Sequence, residues 1–337
     1  MDDLGSLISL PHIWESLERV EVRLMEAAAS EDPYLTKIAQ HLLLAGGKRF
    51  RPLLALLAAD FGPGRDHRPV EAAVSVELIH VGSLYHDDVI DEAATRRGAP
   101  SVNANWSNTV AILAGDYLMA RASEVAATHL SQDSVRLLAT TYAELVEGQT
   151  RELQLIGSLD HGVEGYERVI GGKTASLIRT SARLGAVAAE ADPVAVEALS
   201  VWAYELGMVF QMADDALDLV STQERLGKPA GSDVREGKFT LPLLLAMAGG
   251  DGPRLRALLG GSLPYPEEAV AEVIALARDG GWVDAALDHA LSRVKRAHAQ
   301  LDLLPDVPAR SILDRLGNHL LERVDHERDG RSANLRS

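Results

Sequence analysis

The chain has 337 residues, 47% of them hydrophobic, and sets 33 Lys+Arg against 49 Asp+Glu for a net charge of -16. That apolar content is enough for a substantial core and excludes a disordered chain, while a globally repulsive surface argues against a nucleic-acid partner. With no cysteine, disulfides and thiolate metal sites are excluded, so any metal sits on oxygen or imidazole ligands, a donor set that suits hard cations such as Mg2+.

The first residues, MDDLGSLISLPHIWESLERVE, carry acids where a secretory signal has Lys or Arg, and Pro11 breaks their short apolar stretch. They read as mature and cytoplasmic. Apolar runs such as Leu53 to Ala59 fall short of the ~20 residues a spanning helix needs, so no transmembrane segment is expected. Along the chain apolar residues recur at three- and four-residue spacing, with no convincing alternating strand pattern, and the expected fold is all-α. Helices are expected at roughly 12–29, 33–45, 52–60, 69–93, 108–128, 132–156, 162–190, 193–221, 241–249, 265–279, 283–303 and 307–325. Pro33, Pro52, Pro69 and Pro193 mark starts, whereas Gly46-Gly47, Gly62-Pro63-Gly64 and Gly249-Gly250 read as stops. The helices near 69–93, 132–156 and 193–221 have few charges and are expected at the centre of a bundle. No linker divides the chain, so residues 1–324 are expected to form one domain and 325–337 a polar, disordered tail. The sequon Asn105-Trp106-Ser107 is a chance match.

One short motif occurs twice in apolar helices, as Asp87-Asp88-Val89-Ile90-Asp91 and as Asp214-Asp215-Ala216-Leu217-Asp218. At ~100° per residue its first and fifth positions share one helix face, about 6 Å apart along the axis. Carboxylates so paired repel each other and call for cations, and Mg2+ is held by one or two carboxylates while taking the rest of its shell from water and phosphate oxygens. A single DDxxD equally fits a solvated face; two copies in long apolar helices favour metal binding. Glu92, Glu205 and Glu224 lack such a pattern and read as surface residues.

Basic segments complete a site for diphosphates. Gly46-Gly47-Lys48-Arg49-Phe50-Arg51-Pro52 places three cations before a helix N-terminus, where backbone N–H groups already favour an anion. Thr95-Arg96-Arg97-Gly98 follows the first cluster, and Leu226-Gly227-Lys228-Pro229 through Lys238-Phe239-Thr240-Leu241-Pro242 follows the second. Gly172-Lys173-Thr174 lacks the upstream glycine and strand of a P-loop, so ATP binding is rejected. His80 and His86, on the helix of the first cluster, read by themselves as packed core residues.

In order, GGKRFRP, ELIHVGSLYHDDVIDEAATRRGAPSVN, LAGDYL, EGQTREL, GGKTA, FQMADDALD and LGKPAGSDVREGKFTLP resemble the trans-prenyl diphosphate synthases, or polyprenyl synthetases. The resemblance implies a bundle of about ten long helices around a deep cavity, a homodimer, and two Asp-rich motifs facing each other across its mouth. It further implies that Asp87, Asp91 and Asp214 are ligands of three Mg2+ ions, with Asp88, Asp215 and Asp218 in support. Arg96, Lys173, Lys228 and Lys238 match positions that hold the allylic diphosphate; Lys48, Arg51, His80 and Arg97 match those for isopentenyl diphosphate. Thr174 and Gln211 match polar groups near the reacting carbon, and Val81 departs from the small hydroxyl residue often found in long-chain relatives. The expected reaction ionises an allylic diphosphate (geranyl, farnesyl or geranylgeranyl) and joins it to isopentenyl diphosphate. A geranylgeranyl or farnesyl diphosphate synthase, a class I terpene cyclase and a non-catalytic partner subunit are the alternatives.

Chain length is expected to depend on residues one and two turns before Asp87, namely Ser83, Gly82 and Ile79. Gly82 and Ser83 are small, so a tunnel is expected to lie open there and to admit a product of about C30–C50. Gly82→Phe should then shorten the product to C15–C20.

Overall fold

The computed structural model describes residues 7–64, 66–220, 230–319 and 322. In chain order the elements are α1 (Pro11–Ala27), α2 (Pro33–Ala39), α3 (His41–Leu44), α4 (Phe50–Ala59), α5 (Arg68–Ile90), β1 (Thr95–Arg96), β2 (Ala99–Pro100), α6 (Val102–Asn105), α7 (Asn108–His129) and α8 (Gln132–Leu155). There follow α9 (Gly162–Ile170), a π-helical turn (Gly171–Ala175), α10 (Ser176–Ala188), α11 (Pro193–Val220), α12 (Ser232–Arg235), α13 (Leu241–Ala248), α14 (Gly252–Leu259), α15 (Glu267–Asp279) and α16 (Trp282–Leu301). Residues 308–319 are helical. The all-α expectation holds. The tail from 325, Lys228 and Glu224 lie outside the described residues.

The contacts group the chain into two compact units, Met1–Ala143 with Leu177–Ser200 and Leu303–Ile312, and Glu144–Ser176 with Val201–Asp302 and Leu313–Ser337. In the first unit α5 is buried almost all round, through Val70, Val74, Leu78, Ile79 and Val81 among others, and its most extensive packing is against α7. The Tyr85 hydroxyl, fully buried, donates to the Ile38 carbonyl at 2.7 Å and ties the last turns of α5 to α2. Ser107, the third residue of the sequon, caps α7 by accepting from the Val110 N–H at 3.2 Å. In the second unit Tyr166, Ile170, Met208, Met212, Leu217, Phe239 and Leu241 belong to one core.

Four expectations are corrected. A two-residue antiparallel ladder, Thr95 to Pro100 and Arg96 to Ala99, follows α5, because Arg97 (φ 54) and Gly98 (φ 75) both take the left-handed conformation of a tight hairpin turn. The single helix expected at 162–190 contains the π-helical turn, where Gly148 and Gly172 let two backbones meet: a Cβ on Gly148 would stand 2.5 Å from the Lys173 nitrogen. No helix is expected between 249 and 265, yet α14 starts at Gly252-Pro253, just past the Gly249-Gly250 stop that ends α13 as expected. Helix α8, expected to be buried, buries only a narrow stripe of Ser134, Leu138, Thr141, Leu145 and Gly148.

Helix α11 passes a length and hydropathy test for crossing a membrane, with 61% of its apolar window buried inside the fold. No other helix among the described residues passes it.

Candidate active site

The first Asp cluster closes α5. Asp91 is its C-cap and its N–H donates to the Asp87 carbonyl at 2.8 Å. Asp87 is half-buried and Asp91 exposed, whereas Asp88 is fully buried. Arg96 donates to one Asp88 oxygen through Nε at 2.7 Å and Nη2 at 2.6 Å. The other Asp88 oxygen has no partner among the described residues. Burial raises the Asp88 pKa and Arg96 draws it back. Asn103 Nδ2 donates to the Asp88 and Ala93 carbonyls at 3.1 and 3.0 Å, which secures the helix end.

A cationic cluster lies in the same unit. Arg49 caps α4 with a left-handed backbone (φ 45), following Gly46 (φ 85) and Gly47 (φ 149). Gly47 makes room for the guanidinia: a Cβ there would stand 2.8 Å from that of Arg97. Arg49 is only 5% exposed, pairs with Glu21 at 2.6 Å and Glu77 at 3.3 Å, and donates to the Leu43 carbonyl. Arg97 donates to the Leu42 and Gly46 carbonyls and sits 3.7 Å from Glu77. Arg51 Nη1 lies 3.2 Å from His80 Nε2, while its buried Nε has no partner among the described residues. Burial lowers Arg51 to about 10, which leaves it charged at neutral pH. His80 is held well below its ordinary value by burial and by the four guanidinia of Arg51, Arg97, Arg49 and Arg96. Burial raises Glu77, against the pull of Arg49, Arg97 and Arg51. Lys48 is exposed beside this group in sequence. An orphaned guanidinium nitrogen and more cations than carboxylates make the cluster suited to an anion.

The second cluster lies on α11 in the other unit and again buries its middle aspartate, but it buries its fifth residue as well, unlike the first. Asp214 is partly exposed, whereas Asp215 and Asp218 are 5% and 2% exposed. Asp218 accepts from Ser232 Oγ at 2.8 Å and the Asp233 N–H at 3.2 Å, which fastens α12. Asp215 accepts from the Tyr166 hydroxyl at 2.6 Å and from Gln211 Nε2 at 2.9 Å. Burial pushes Asp215 up to about 8, with Asp233 adding to the shift and the Tyr166 and Gln211 hydrogen bonds opposing it. Thr174 Oγ1 donates to Gln211 Oε1 at 2.9 Å. Lys173 pairs with Glu152 at 2.6 Å and Lys238 with Glu236 at 2.8 Å. A cavity of ≈ 110 Å³ gathers Lys173, Thr174, Gln211, Asp215 and Lys238, with apolar walls that include Leu155, Ile156 and Phe239.

Three residues read in the sequence behave otherwise. Gly82 does not face open space: a Cβ on it would stand 2.9 Å from Met119 Cε and 3.1 Å from the Gly115 carbonyl of α7. Ile79 is 4% exposed and belongs to the core, so of the three chain-length candidates Ser83 alone is partly exposed. Glu205 is no surface residue: at 13% side-chain exposure it pairs with Arg293 at 2.9 Å and Arg296 at 3.3 Å. The sequence reading missed Tyr166, Glu152, Asp233 and Glu77. Glu77, Glu152 and Asp233 lie inside the quoted motifs, and Glu77, like Glu71, stands out as a carboxylate in the apolar run of α5; Tyr166 had no signal of its own.

The profile of the polyprenyl synthetase family matches residues 32–277. A nonaprenyl diphosphate synthase of Mycobacterium tuberculosis (strain ATCC 25618 / H37Rv) is 43% identical, covering 95% of this chain and 96% of its own. A decaprenyl diphosphate synthase of Rhodobacter capsulatus superposes with a TM-score of 0.86 at 34% identity over 96% and 99% of the two chains. A geranylgeranyl pyrophosphate synthase of Corynebacterium glutamicum, complexed with calcium and isoprenyl diphosphate, gives 0.82 at 41% identity over 93% and 96%. The chain belongs to the polyprenyl synthetase family and is a prenyltransferase that makes polyprenyl diphosphates.

Proposed function

We propose that the enzyme elongates an allylic diphosphate with isopentenyl diphosphate, in the presence of Mg2+, to an all-trans product of about C30–C50. The observation that carries this reading is common to both Asp clusters: the second carboxylates, Asp88 and Asp215, are buried and held by side chains, whereas the first, Asp87 and Asp214, reach solvent, as Asp91 does and the buried Asp218 does not. Among the described residues no three acidic or imidazole side chains form a closed metal cage. Mg2+ needs none, since it takes one or two carboxylates and completes its shell with water and diphosphate oxygens. Asp87, Asp91 and Asp214 are the proposed ligands, with three ions per active site, and the bound metal would neutralise charge on the leaving diphosphate.

Arg96, Lys173 and Lys238, together with Lys228, bind the allylic diphosphate and stabilise the charge that grows as its C–O bond breaks. Lys48, Arg51, Arg97 and His80 bind isopentenyl diphosphate, His80 as a neutral ring accepting from Arg51. The double bond of isopentenyl diphosphate attacks the allylic cation, a new C–C bond forms, and loss of a proton to the released diphosphate restores an allylic diphosphate five carbons longer. Thr174 and Gln211 stand near the reacting carbon. The apolar walls exclude water, which would quench the cation. A homodimer is part of the proposal, supported by the exposed Ile112 and Leu113 on α7, as is the cytoplasmic location.

A second reading, a C20 product, is favoured by the closure of Gly82 against α7 and by the similarity to the C. glutamicum enzyme. Incubation with labelled isopentenyl diphosphate and geranyl, farnesyl or geranylgeranyl diphosphate, followed by sizing, separates the two. Products of C30 or longer support the first reading, and termination at C20 overturns it. Conversion of the allylic substrate to a hydrocarbon without uptake of label overturns both.

A further inference from the structure

Thr174 and Gln211 belong to a longer chain of hydrogen bonds that ends on a residue with no assigned part in the reaction. Tyr166, 5% exposed on α9, donates to Asp215 Oδ2 at 2.6 Å; Gln211 Nε2 donates to Asp215 Oδ1 at 2.9 Å; Thr174 Oγ1 donates to Gln211 Oε1 at 2.9 Å. All four residues line the same cavity. We infer that Tyr166 is a positioning residue for the condensation, setting through Asp215 and Gln211 the direction in which the Thr174 hydroxyl points.

A Gln amide has one donor end and one acceptor end, and which end faces which neighbour is fixed by its partners. With Asp215 accepting from Gln211 Nε2, the Gln211 oxygen is turned to Thr174, and the single Thr174 proton is committed to it. What Thr174 then offers the cavity is its lone pairs, the polarity that stabilises a cation and cannot compete with lysines for a phosphate oxygen. Asp215 could swing about its own side-chain torsions; Tyr166 stops it by occupying the second oxygen, from a buried ring on α9 that shares a core with Met208 and Met212 of α11. The residues sit at readable distances, Gln211 and Asp215 one turn apart on α11, Tyr166 and Thr174 on either side of the turn that runs from α9 into the π-helical segment. Chains of this kind act as a unit, so removing one member removes the benefit of the rest.

This inference rests on the reading of Thr174 and Gln211 given above. The test is a double-mutant cycle on the full chain, measuring kcat and KM for both diphosphates with Mg2+ present. Tyr166→Phe keeps the ring and removes the donor; it should lower kcat by about tenfold, the upper range of one net hydrogen bond, with KM for isopentenyl diphosphate within about twofold of wild type. In the Thr174→Val background, and again in Gln211→Leu, the same substitution should change kcat by less than about twofold. An equal loss in all three backgrounds overturns the inference, as does an unchanged kcat in Tyr166→Phe alone. If Thr174→Val and Gln211→Leu are themselves fully active, the earlier reading of those two residues falls instead. Circular dichroism of each variant identifies any loss that comes from unfolding, and kcat is taken per folded molecule, so the comparison of Tyr166→Phe across the three backgrounds stays decisive even where that variant is partly unfolded.

Discussion

Replacing Gly82 by Phe separates two accounts of the α5 face next to Asp87. If the residue borders a tunnel, a phenyl ring blocks the growing chain and leaves the protein intact. The geometry points elsewhere, since a single added carbon would already stand 2.9 Å from Met119 Cε, 3.1 Å from the Gly115 carbonyl and 3.4 Å from Leu118 Cβ. The Met119 end can yield; the Gly115 carbonyl is backbone of α7 and cannot. For Gly82→Ala, overpacking of about 1–3 kcal/mol is partly offset by a gain of about 1 kcal/mol in helix propensity. For Phe there is no such offset, and the helices must separate or the ring leave its preferred rotamers, so a loss of about 3 kcal/mol or more is expected. At about 2.1 cal/mol/K of unfolding entropy per residue, that lowers Tm by about 4 °C for a chain of this size melting as one unit. Ser83→Phe, at a half-buried position one turn before Asp87, should leave Tm nearly unchanged and shorten the product. Thermal melts and product sizing on the same preparations decide the matter: a Gly82→Phe enzyme with wild-type Tm and shortened products would refute the reasoning.

Asp87→Ala and Asp214→Ala should each lower kcat by about a hundredfold or more while helical circular dichroism persists, and near-normal turnover in either would remove that residue from the proposed metal site. Lys48→Ala, at an exposed position, should leave Tm unchanged and raise KM for isopentenyl diphosphate by about tenfold, with a smaller effect on the allylic substrate. An equal rise for both substrates would undo the division of the cations between them.

The parts of this molecule that were legible in the sequence share one property: their signal is local. The apolar character of α1, α5 and α11, the prolines that open α5 and α11 and the doubled DDxxD can be read without knowing what lies opposite. Asp88 shows where that ends. By sequence it is equivalent to Asp87 and Asp91, yet it is fully buried, and the reason is Arg96, which a tight turn at Arg97-Gly98 brings back onto the helix end. Gly82 failed for the same reason, because a small residue beside a ligand on a helical wheel reads as space, and only the position of Gly115 on another helix shows that the space is taken. Arg49 and Arg51, two residues apart, differ as sharply, one spent on Glu21 and Glu77 and the other with a nitrogen left without a partner among the described residues. The π-helical turn meets the backbone at Gly148, more than twenty residues earlier, and no periodicity within 162–190 encodes that close approach.

The pH dependence of stability gives a final test, centred on His80. Its Nε2 lies 3.2 Å from Arg51 Nη1, and because a guanidinium only donates, that ring nitrogen carries no proton. Burial first, and then Arg51, Arg97, Arg49 and Arg96, hold the folded pKa well below 6.5, whereas the unfolded chain takes up a proton near that value. Between the two values the unfolded state binds more protons, so stability rises with pH, by up to about 1.4 kcal/mol per pH unit for one group. This contribution is complete above about pH 6.5 and is lost as pH falls through that value towards the folded one. Glu77 acts with the opposite sign, since its raised folded pKa gives the folded state the extra proton above the usual carboxylate range, so the total slope alone is uninformative. The difference between wild type and His80→Gln isolates the histidine. Denaturant titrations from pH 7.5 to 5.5 should show the variant losing less stability than wild type as the pH drops. Parallel curves would mean that His80 takes up its proton in the folded protein, and that the neutral acceptor assigned to it beside Arg51 is wrong.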